Sequence, residues 1–510
     1  MQREDWMRLK SGTDVRGTAL EGVEGEHVDL TDQAVTGIVK AFYFRLAEQT
    51  GKKHLTIAIG HDPRLSAGRI SECAVRAVTE SGGTALFTGL CSTPSMFMLL
   101  KHPAYGADAS VMITASHLPY NKNGLKFFLP GGGLEGRDIS EILSLAAEGK
   151  CLTGKGEKKE ASFMDTYAAE LVALVRDKTG KDKPLAGKKI AVDAGNGAGG
   201  FYAEKVLLPL GADISACQFL RPDGHFPNHI PNPENKDAMR SICERVRETH
   251  ADFGIIFDTD VDRAGAVDSD GEEINRNRLI ALIAAILLEE QPGATIVTDS
   301  VTSDGLTQFI TARGGIHFRF RRGYKNVIDK AKELCAAGQN APLAIETSGH
   351  AALRENYFLD DGAYLVTRLL ISLARLSDQG KHISDLIRDL PEPAEAAEVR
   401  PGFTEAGKAD FKKYGQQAIE DVRARVPSIP GLSLTPENYE GVRINFDKNS
   451  GDGWALIRMS LHEPILPVNF ESNSPGGCKI IAGKLFDLLR KYDEHLDLSA
   501  LARYLGRQNA

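Results

Sequence analysis

Gly254-Ile255-Ile256-Phe257-Asp258-Thr259-Asp260-Val261-Asp262-Arg263 sets four residues of strand character directly before three alternating aspartates. A short apolar run closed by acidic turn formers reads as a buried strand ending in a loop. Two other stretches repeat the pattern. Ser110-Val111-Met112-Ile113 runs into Thr114-Ala115-Ser116-His117, and Leu343-Ala344-Ile345 runs into Glu346-Thr347-Ser348-Gly349-His350. Working outward, each of these strands closes a unit that opens on a similar run: Thr56 to Asp62, Lys189 to Asp193, and Thr295 to Asp299. Helical patterns follow the opening runs at Arg69 to Glu80, Phe201 to Leu208 and Leu306 to Ala312. A glycine stop then leads to second strands at Gly82–Phe87, Gly211–Ile214 and Gly314–Phe318. Alternating strands and helices indicate α/β layers, which bind ligands at the carboxyl ends of their strands. Three strand ends with three polar sets therefore predict three walls of one cleft.

The seams between units follow from composition. Lys- and Gly-rich stretches at 148–159 and 177–189 frame a short helical join, and Gln291-Pro292-Gly293 ends an apolar helix from Leu279 to Glu290. Leu390-Pro391-Glu392-Pro393 reads as a linker. The expected domains are 1–180, 181–290, 291–392 and 393–510, the last with strands at Val442–Phe446 and Trp454–Arg458 and a closing helix from Ile480 to Tyr492. The tail from Leu496 to Leu505 is expected to be helical, packing either on its own domain or on a partner.

At 510 residues the chain is long enough for several cores. Sixty-one Lys and Arg face 69 Asp and Glu, a formal net charge of −8, which argues against a nucleic-acid binder. The start, Met1 to Lys10, lacks the apolar core of a signal peptide. The longest apolar run, Leu279 to Leu288, is ten residues, too short to span a bilayer. Seven scattered cysteines without a C-x-x-C pair fit neither a disulfide framework nor a zinc ribbon. The expectation is a cytoplasmic enzyme, monomer or homodimer, with small-molecule partners and no membrane or nucleic-acid partner.

Asp258, Asp260 and Asp262 can aim oxygens at one point. Three hard carboxylates without His or Cys suit Mg²⁺ better than zinc or copper, although aspartates are equally common in solvated turns and caps. An EF-hand is excluded, because Arg263 and Ser269 stand where glycine and glutamate are needed. Ser116 lies in no G-x-S-x-G elbow, so a hydrolase serine is disfavoured. It has two readings: a cap for a following helix, or a carrier of a phosphoryl group near Mg²⁺, with Arg16, Lys126 and Arg263 as counter-charges.

These three loops occur in the order of the phosphoserine, metal and sugar-binding loops of the α-D-phosphohexomutases (phosphoglucomutase/phosphomannomutase), which the chain resembles over essentially its whole length. Ser11-Gly12-Thr13-Asp14-Val15-Arg16-Gly17, Phe226-Pro227-Asn228-His229 and Pro231-Asn232-Pro233 add to the resemblance. It implies a heart-shaped, four-domain α/β enzyme: three similar domains with mixed sheets, then a smaller α+β domain like the TATA-box-binding protein. It also implies interconversion of hexose 1-phosphate and 6-phosphate, for glucose and/or mannose, through phospho-Ser116 and a hexose 1,6-bisphosphate that also serves as activator. One Mg²⁺ would sit on Ser116, Asp258, Asp260 and Asp262. Arg16 and Arg263 would border the phosphoserine, with Lys126 and His117 as acid/base candidates. Glu346 and Ser348 would bind sugar hydroxyls. The Gly323-Tyr324-Lys325 turn resembles the specificity loop, although Tyr324 beside a turn equally suits packing.

Two loops depart from the family. The phosphate loop R-P-S-G-T-E-P is here Arg458-Met459-Ser460-Leu461-His462-Glu463-Pro464, keeping Arg458 and Ser460 as an anion fork. His462 either binds phosphate, more tightly when protonated, or packs away from it. Ser116-His117-Leu118-Pro119 replaces S-H-N-P. Because both changes touch phosphate handling, a second reading is a hexose 1,6-bisphosphate synthase using fructose 1,6-bisphosphate as donor. A third is a non-catalytic sugar-phosphate sensor. Asn473 to Gly477 either faces the cleft or caps the last helix.

Overall fold

The computed structural model describes residues 2–460 and 463–507. The chain forms two compact units, Met1–Leu279 with Ser348–Asp385, and Ile280–Thr347 with Leu386–Ala510.

The first unit holds two mixed sheets. The larger, of eight strands, has the central order Lys122–Leu129, Ala109–Ile113, Thr56–His61 and Thr84–Leu90. Thr56–His61 runs parallel to both Ala109–Ile113 and Thr84–Leu90, and its Ile57, Ala58 and Ile59 are fully buried, the pattern of a strand covered on both faces. One core joins Phe42 of the helix Asp32–Thr50, Ile70 of Ala67–Glu80 and Ile142 of Gly136–Ala147 to Ile57, Val111 and Phe127. In the smaller sheet Phe253–Phe257 lies parallel to Ile190–Asp193 and antiparallel to Ala264–Val267, so residues 258–263 form the loop at its carboxyl end. Beyond Ser348 come a hairpin, Ala351–Leu353 with Leu359–Asp360, and the helix Gly362–Ser377, capped by the Asp361 carboxylate.

In the second unit Thr295–Thr298 is flanked in parallel by Ile316–Arg319 and Leu343–Ile345. A five-stranded antiparallel sheet follows, in the order Glu395–Val399, Val468–Ser472, Gly453–Ile457, Val442–Phe446, Leu432–Leu434. Its core joins Ile444, Ile457 and Phe470 to Ile419 of the helix Phe411–Arg425 and to Ile481 and Leu485 of Gly477–Leu489. This is the expected α+β domain.

Several local expectations are corrected. Gly211–Ile214 forms no strand and meets the sheet only through the bridge between Lys189 and Asp213, because the Asp213 side chain accepts from the Ser215 N–H and turns the chain. Phe201 to Leu208 is helical, but as a π-turn over Tyr202–Leu207. Of the expected tail helix, Leu496–Asp497 pairs as a strand with Gly402–Phe403 and only Ser499–Tyr504 is helical; Leu501 and Ala502 are buried in their own domain. Asn473 to Gly477 caps the helix Gly477–Leu489: Gly476 is its left-handed N-cap, and Glu395 accepts from the N–H groups of Gly476 and Cys478.

Candidate active site

The strand Phe253–Phe257 delivers its chain into a tight loop. Val261 takes a positive φ of 69°, costly for a β-branched residue, while its N–H bonds back to the Asp258 carbonyl at 3.3 Å. The turn gathers one carboxylate oxygen from each of Asp258, Asp260 and Asp262 within 4.8 Å of one another, and all three residues are buried. Ser116 also lies in the left-handed region, φ 51°, in a turn and not ahead of a helix, so the helix-cap reading is corrected. Its Oγ donates to Asp258 Oδ2 at 2.9 Å and accepts from Arg263 Nη2 at 3.0 Å. Lys126 Nζ donates to Asp260 at 3.2 Å and also to Asp262.

The three carboxylates face Arg263 and Lys126 directly, with the charges of Arg16 and His350 close by. Oδ1 of Asp260 and Oδ1 of Asp262 are buried without a hydrogen-bond partner. Buried carboxylate oxygens are costly unless something positive meets them, and an all-oxygen set of this kind fits a hard divalent cation. The pKa shifts carry the same signature. Burial and the neighbouring carboxylates push Asp258 well up. Burial opposes ionisation of Asp262 too, but Lys126, His350 and Arg263 hold its carboxyl low. His117 is pushed down to about 2 by burial and by the charges of Arg263 and Arg16. Its Nδ1 accepts from the Arg263 guanidinium, as a neutral ring can, and lies 3.3 Å from Ser116 Oγ, whose one hydrogen goes to Asp258. Arg16 reaches the loop through the Ala115 carbonyl at 3.3 Å and pairs with Asp14 at 3.1 Å.

Thr93, His350 and Asp360 were given no role from the sequence. Thr93 binds Asp260 twice, through its hydroxyl and through its N–H at 2.8 Å to the Asp260 carbonyl. His350 pairs with Asp360 and lies 3.9 Å from Asp262 Oδ1; despite burial, these carboxylates raise its pKa. His350 closed a quoted polar loop, and a histidine at a strand end was the available signal. Thr93 left none, being one hydroxyl among many.

The remaining expected residues divide between the units. Ser348 is buried in the first, beside Gly349, whose φ of 91° and approach to the Ala264 carbonyl leave no room for a Cβ. In the second, Glu346 is buried and accepts from the Gly323 N–H at 2.6 Å. Tyr324 and Lys325 open the helix Tyr324–Ala336 rather than forming a turn, and Lys325 pairs with Asp329 at 3.2 Å. Arg458 is buried with its Nε unbonded, and burial together with the Arg322 charge lowers its pKa. A buried guanidinium beside a second cation favours an anion near it. Ser460 Oγ accepts from the Glu463 N–H at 3.2 Å. His462 and Leu461 lie outside the described residues.

The sequence profiles of phosphoglucomutase/phosphomannomutase α/β/α domains I, II and III match residues 8–151, 165–271 and 275–394. A phosphoglucomutase of Neisseria gonorrhoeae is 30% identical over 480 residues, 94% of this chain and 96% of the relative. The chain belongs to the phosphoglucomutase/phosphomannomutase family. A phosphomannomutase/phosphoglucomutase of Pseudomonas syringae pv. tomato is 28% identical over 89% of this chain and 90% of its own. Among solved structures, a phosphoglucomutase/phosphomannomutase family protein of Burkholderia thailandensis superposes with a TM-score of 0.79 at 26% identity, covering 97% of this chain and 98% of that one. The phosphoglucomutase pp63/parafusin of Paramecium shares the fold at 15% identity, TM-score 0.72, over 98% and 96% of the two chains. Family membership makes the protein a phosphotransferase of the mutase type, and it favours neither the synthase nor the sensor. No helix among the described residues is long and apolar enough to cross a membrane.

Proposed function

We propose that the protein interconverts the 1- and 6-phosphates of glucose, mannose or both, with Ser116 as phosphoryl carrier. One observation carries the reading: a serine oxygen bonded to both Asp258 and Arg263, beside two buried carboxylate oxygens that accept no hydrogen bond. A hexose monophosphate hydroxyl attacks the phosphorus on Ser116. The Oγ–P bond breaks as the sugar O–P bond forms; the hydroxyl proton passes to His117, held neutral, and the Lys126 ammonium, bonded to Asp260 and Asp262, is the acid that gives a proton to the departing Ser116 oxygen. Arg263 and Arg16 offset the charge developing on the phosphoryl oxygens. A Mg²⁺ ion held by Asp258, Asp260, Asp262 and the Ser116 oxygen would add charge stabilisation there. The hexose 1,6-bisphosphate turns over and returns its other phosphoryl group to Ser116, and the same bisphosphate primes the unphosphorylated enzyme.

Recognition falls to the other expected residues. Glu346 and Ser348 would bind vicinal hydroxyls, Arg458 and Ser460 the non-reacting phosphate, with Tyr324, Lys325 and His462 tuning selection. Labour would divide over segments 1–180 (phosphoserine), 181–290 (metal), 291–392 (sugar) and 393–510 (phosphate). The excess of acidic residues argues against nucleic acid as a partner, and the local arginines of an otherwise acidic chain suit small sugar phosphates. We assign the enzyme to the cytoplasm, as monomer or homodimer.

Phosphorus NMR tests the reading. With Mg²⁺, a trace of glucose 1,6-bisphosphate and either glucose or mannose 1-phosphate, the 6-phosphate should grow while bisphosphate stays constant. Stoichiometric accumulation of bisphosphate at the expense of added fructose 1,6-bisphosphate would instead establish a synthase. An unchanged spectrum with both sugars would refute transfer.

A further inference from the structure

The strand Thr56–His61 ends in Asp62-Pro63-Arg64, and Arg64 is 2% exposed although it is an arginine. Such burial requires every donor to be used. All five N–H groups of its side chain are engaged. Nε meets Asp62 Oδ2 at 3.2 Å; Nη1 meets the carbonyls of Pro119 and Lys122 at 2.7 and 2.9 Å; Nη2 meets those of Ser116 and, at 2.7 Å, Leu118. One guanidinium therefore holds four carbonyls of the loop that carries Ser116.

Asp62 closes the arrangement. It accepts from the Arg64 N–H at 3.1 Å and from Thr114 Oγ1 at 2.7 Å, and Thr114 Oγ1 in turn accepts from the Ser116 N–H at 2.8 Å. The two backbone groups of Ser116 are thus tied to one buried ion pair: its N–H through Thr114 to Asp62, its carbonyl directly to Arg64. Ser116 needs such restraint, because its φ of 51° is unfavourable for any residue but glycine. The Phe226 ring lies over the guanidinium, 5.4 Å from its carbon, and Gly224 permits that approach: a Cβ there would lie 2.4 Å from the Pro63 carbonyl. The Phe226-Pro227-Asn228-His229 motif thereby finds a partner. Leu118, where the family has an amide, contributes its carbonyl, so the hold on the loop does not need the missing side chain.

We propose that Arg64 is a positioning residue for phosphoryl transfer. Acting through the loop and touching no substrate, it fixes Ser116 in the left-handed conformation that aims Oγ at Asp258 and Arg263. A lysine keeps the charge but has three donors on one atom and cannot span four carbonyls and a carboxylate. The inference rests on the mutase reading above.

Arg64→Lys tests it, with Asp62→Asn as a milder partner that keeps the shape and loses the charge. Both are scored by kcat and KM on hexose 1-phosphate per folded molecule, and by the rate at which phospho-Ser116, loaded from glucose 1,6-bisphosphate, passes its phosphoryl group to sugar. A misplacement of about 1 Å costs on the order of 100-fold in rate, so R64K should lose about 100-fold in kcat and in transfer rate, with KM within about threefold of the parent. D62N should show the same split at about tenfold, and it decides the matter if R64K does not fold. A lowered Tm with parental kcat in both folded variants would overturn the inference and leave Arg64 a structural residue. A wild-type enzyme that turns over no hexose phosphate would overturn the mutase reading itself.

Discussion

The serine-and-aspartate set of the first unit and the glutamate-and-arginine set of the second use the same device, a buried strand running into a polar loop. They differ in how far their charges are spoken for. Around Ser116 the hydroxyl, the Arg263 guanidinium, Lys126 and the three aspartates are joined to one another, and among the described residues two carboxylate oxygens and the Nε of Arg16 are left over. Around Arg458 a buried guanidinium nitrogen has no hydrogen-bond partner, and its loop carries Leu461 and His462 where the resemblance leads to an expected glycine and threonine. Phosphoryl transfer fixes both residue type and geometry, because each group meets a reacting atom or its metal. Recognition of a phosphate requires only enough positive charge and donors at the right distance, and several loops can supply that.

The comparison breaks most visibly at Ser116. Ser116→Ala should lower kcat by at least about 10⁴-fold while the calorimetric Kd for hexose 1-phosphate moves by less than about threefold. Comparable loss of binding would mean that the two sets are not separable. Next in size, Asp260→Asn should cost on the order of 10²–10³-fold in turnover and abolish saturable Mg²⁺ binding by calorimetry. Unaltered metal binding would move the site elsewhere. On the recognition side Arg458→Met should raise KM about 10- to 100-fold and leave kcat nearly intact, the value of one charge-assisted bond to an anion. A fall in kcat with KM unchanged would place Arg458 among the transfer residues.

The smallest effects concern stability and have opposite signs in the two units. His317 is buried between Thr298 and Thr307, and burial lowers its pKa. The unfolded chain takes up that proton first, so the second unit should lose about 1.4 kcal/mol per pH unit below about pH 6.5. His229 pairs with Asp193, which raises its pKa although burial opposes this. That contribution to the first unit is present below about pH 6.5 and is lost as pH rises through the folded value. The chain has two tryptophans, Trp6 in the first unit and Trp454 in the second. Denaturation of Trp6→Phe and Trp454→Phe variants therefore reads the two slopes separately, and His317→Asn should flatten the first of them.

Much of this was legible from residue order. The three strand ends, the acidic loop and the antiparallel C-terminal strands follow from apolar runs of the right length broken by polar turn formers. What escaped was set by distant partners. Gly211 to Ile214 carries a strand's composition, yet Asp213 bends it into a turn. Asp62 and Arg64 looked like an ordinary strand terminus, because nothing local announces that one side chain will meet carbonyls more than fifty residues away. Thr93 gave no signal for the same reason. The phosphate loop was legible as a departure, but its consequence depends on how Arg458 is answered, which residue order does not encode.

The central claim is that Ser116 carries the phosphoryl group, and it can be tested by following a labelled phosphate. Enzyme loaded with ³²P from labelled glucose 1,6-bisphosphate, freed of sugar and mixed with unlabelled hexose 1-phosphate and Mg²⁺, should lose label from the peptide containing Ser116 in a single turnover. The label should reappear in hexose 1,6-bisphosphate and then in hexose 6-phosphate. Label that stays on the protein, or that leaves only as inorganic phosphate while unlabelled 6-phosphate forms, would contradict the account.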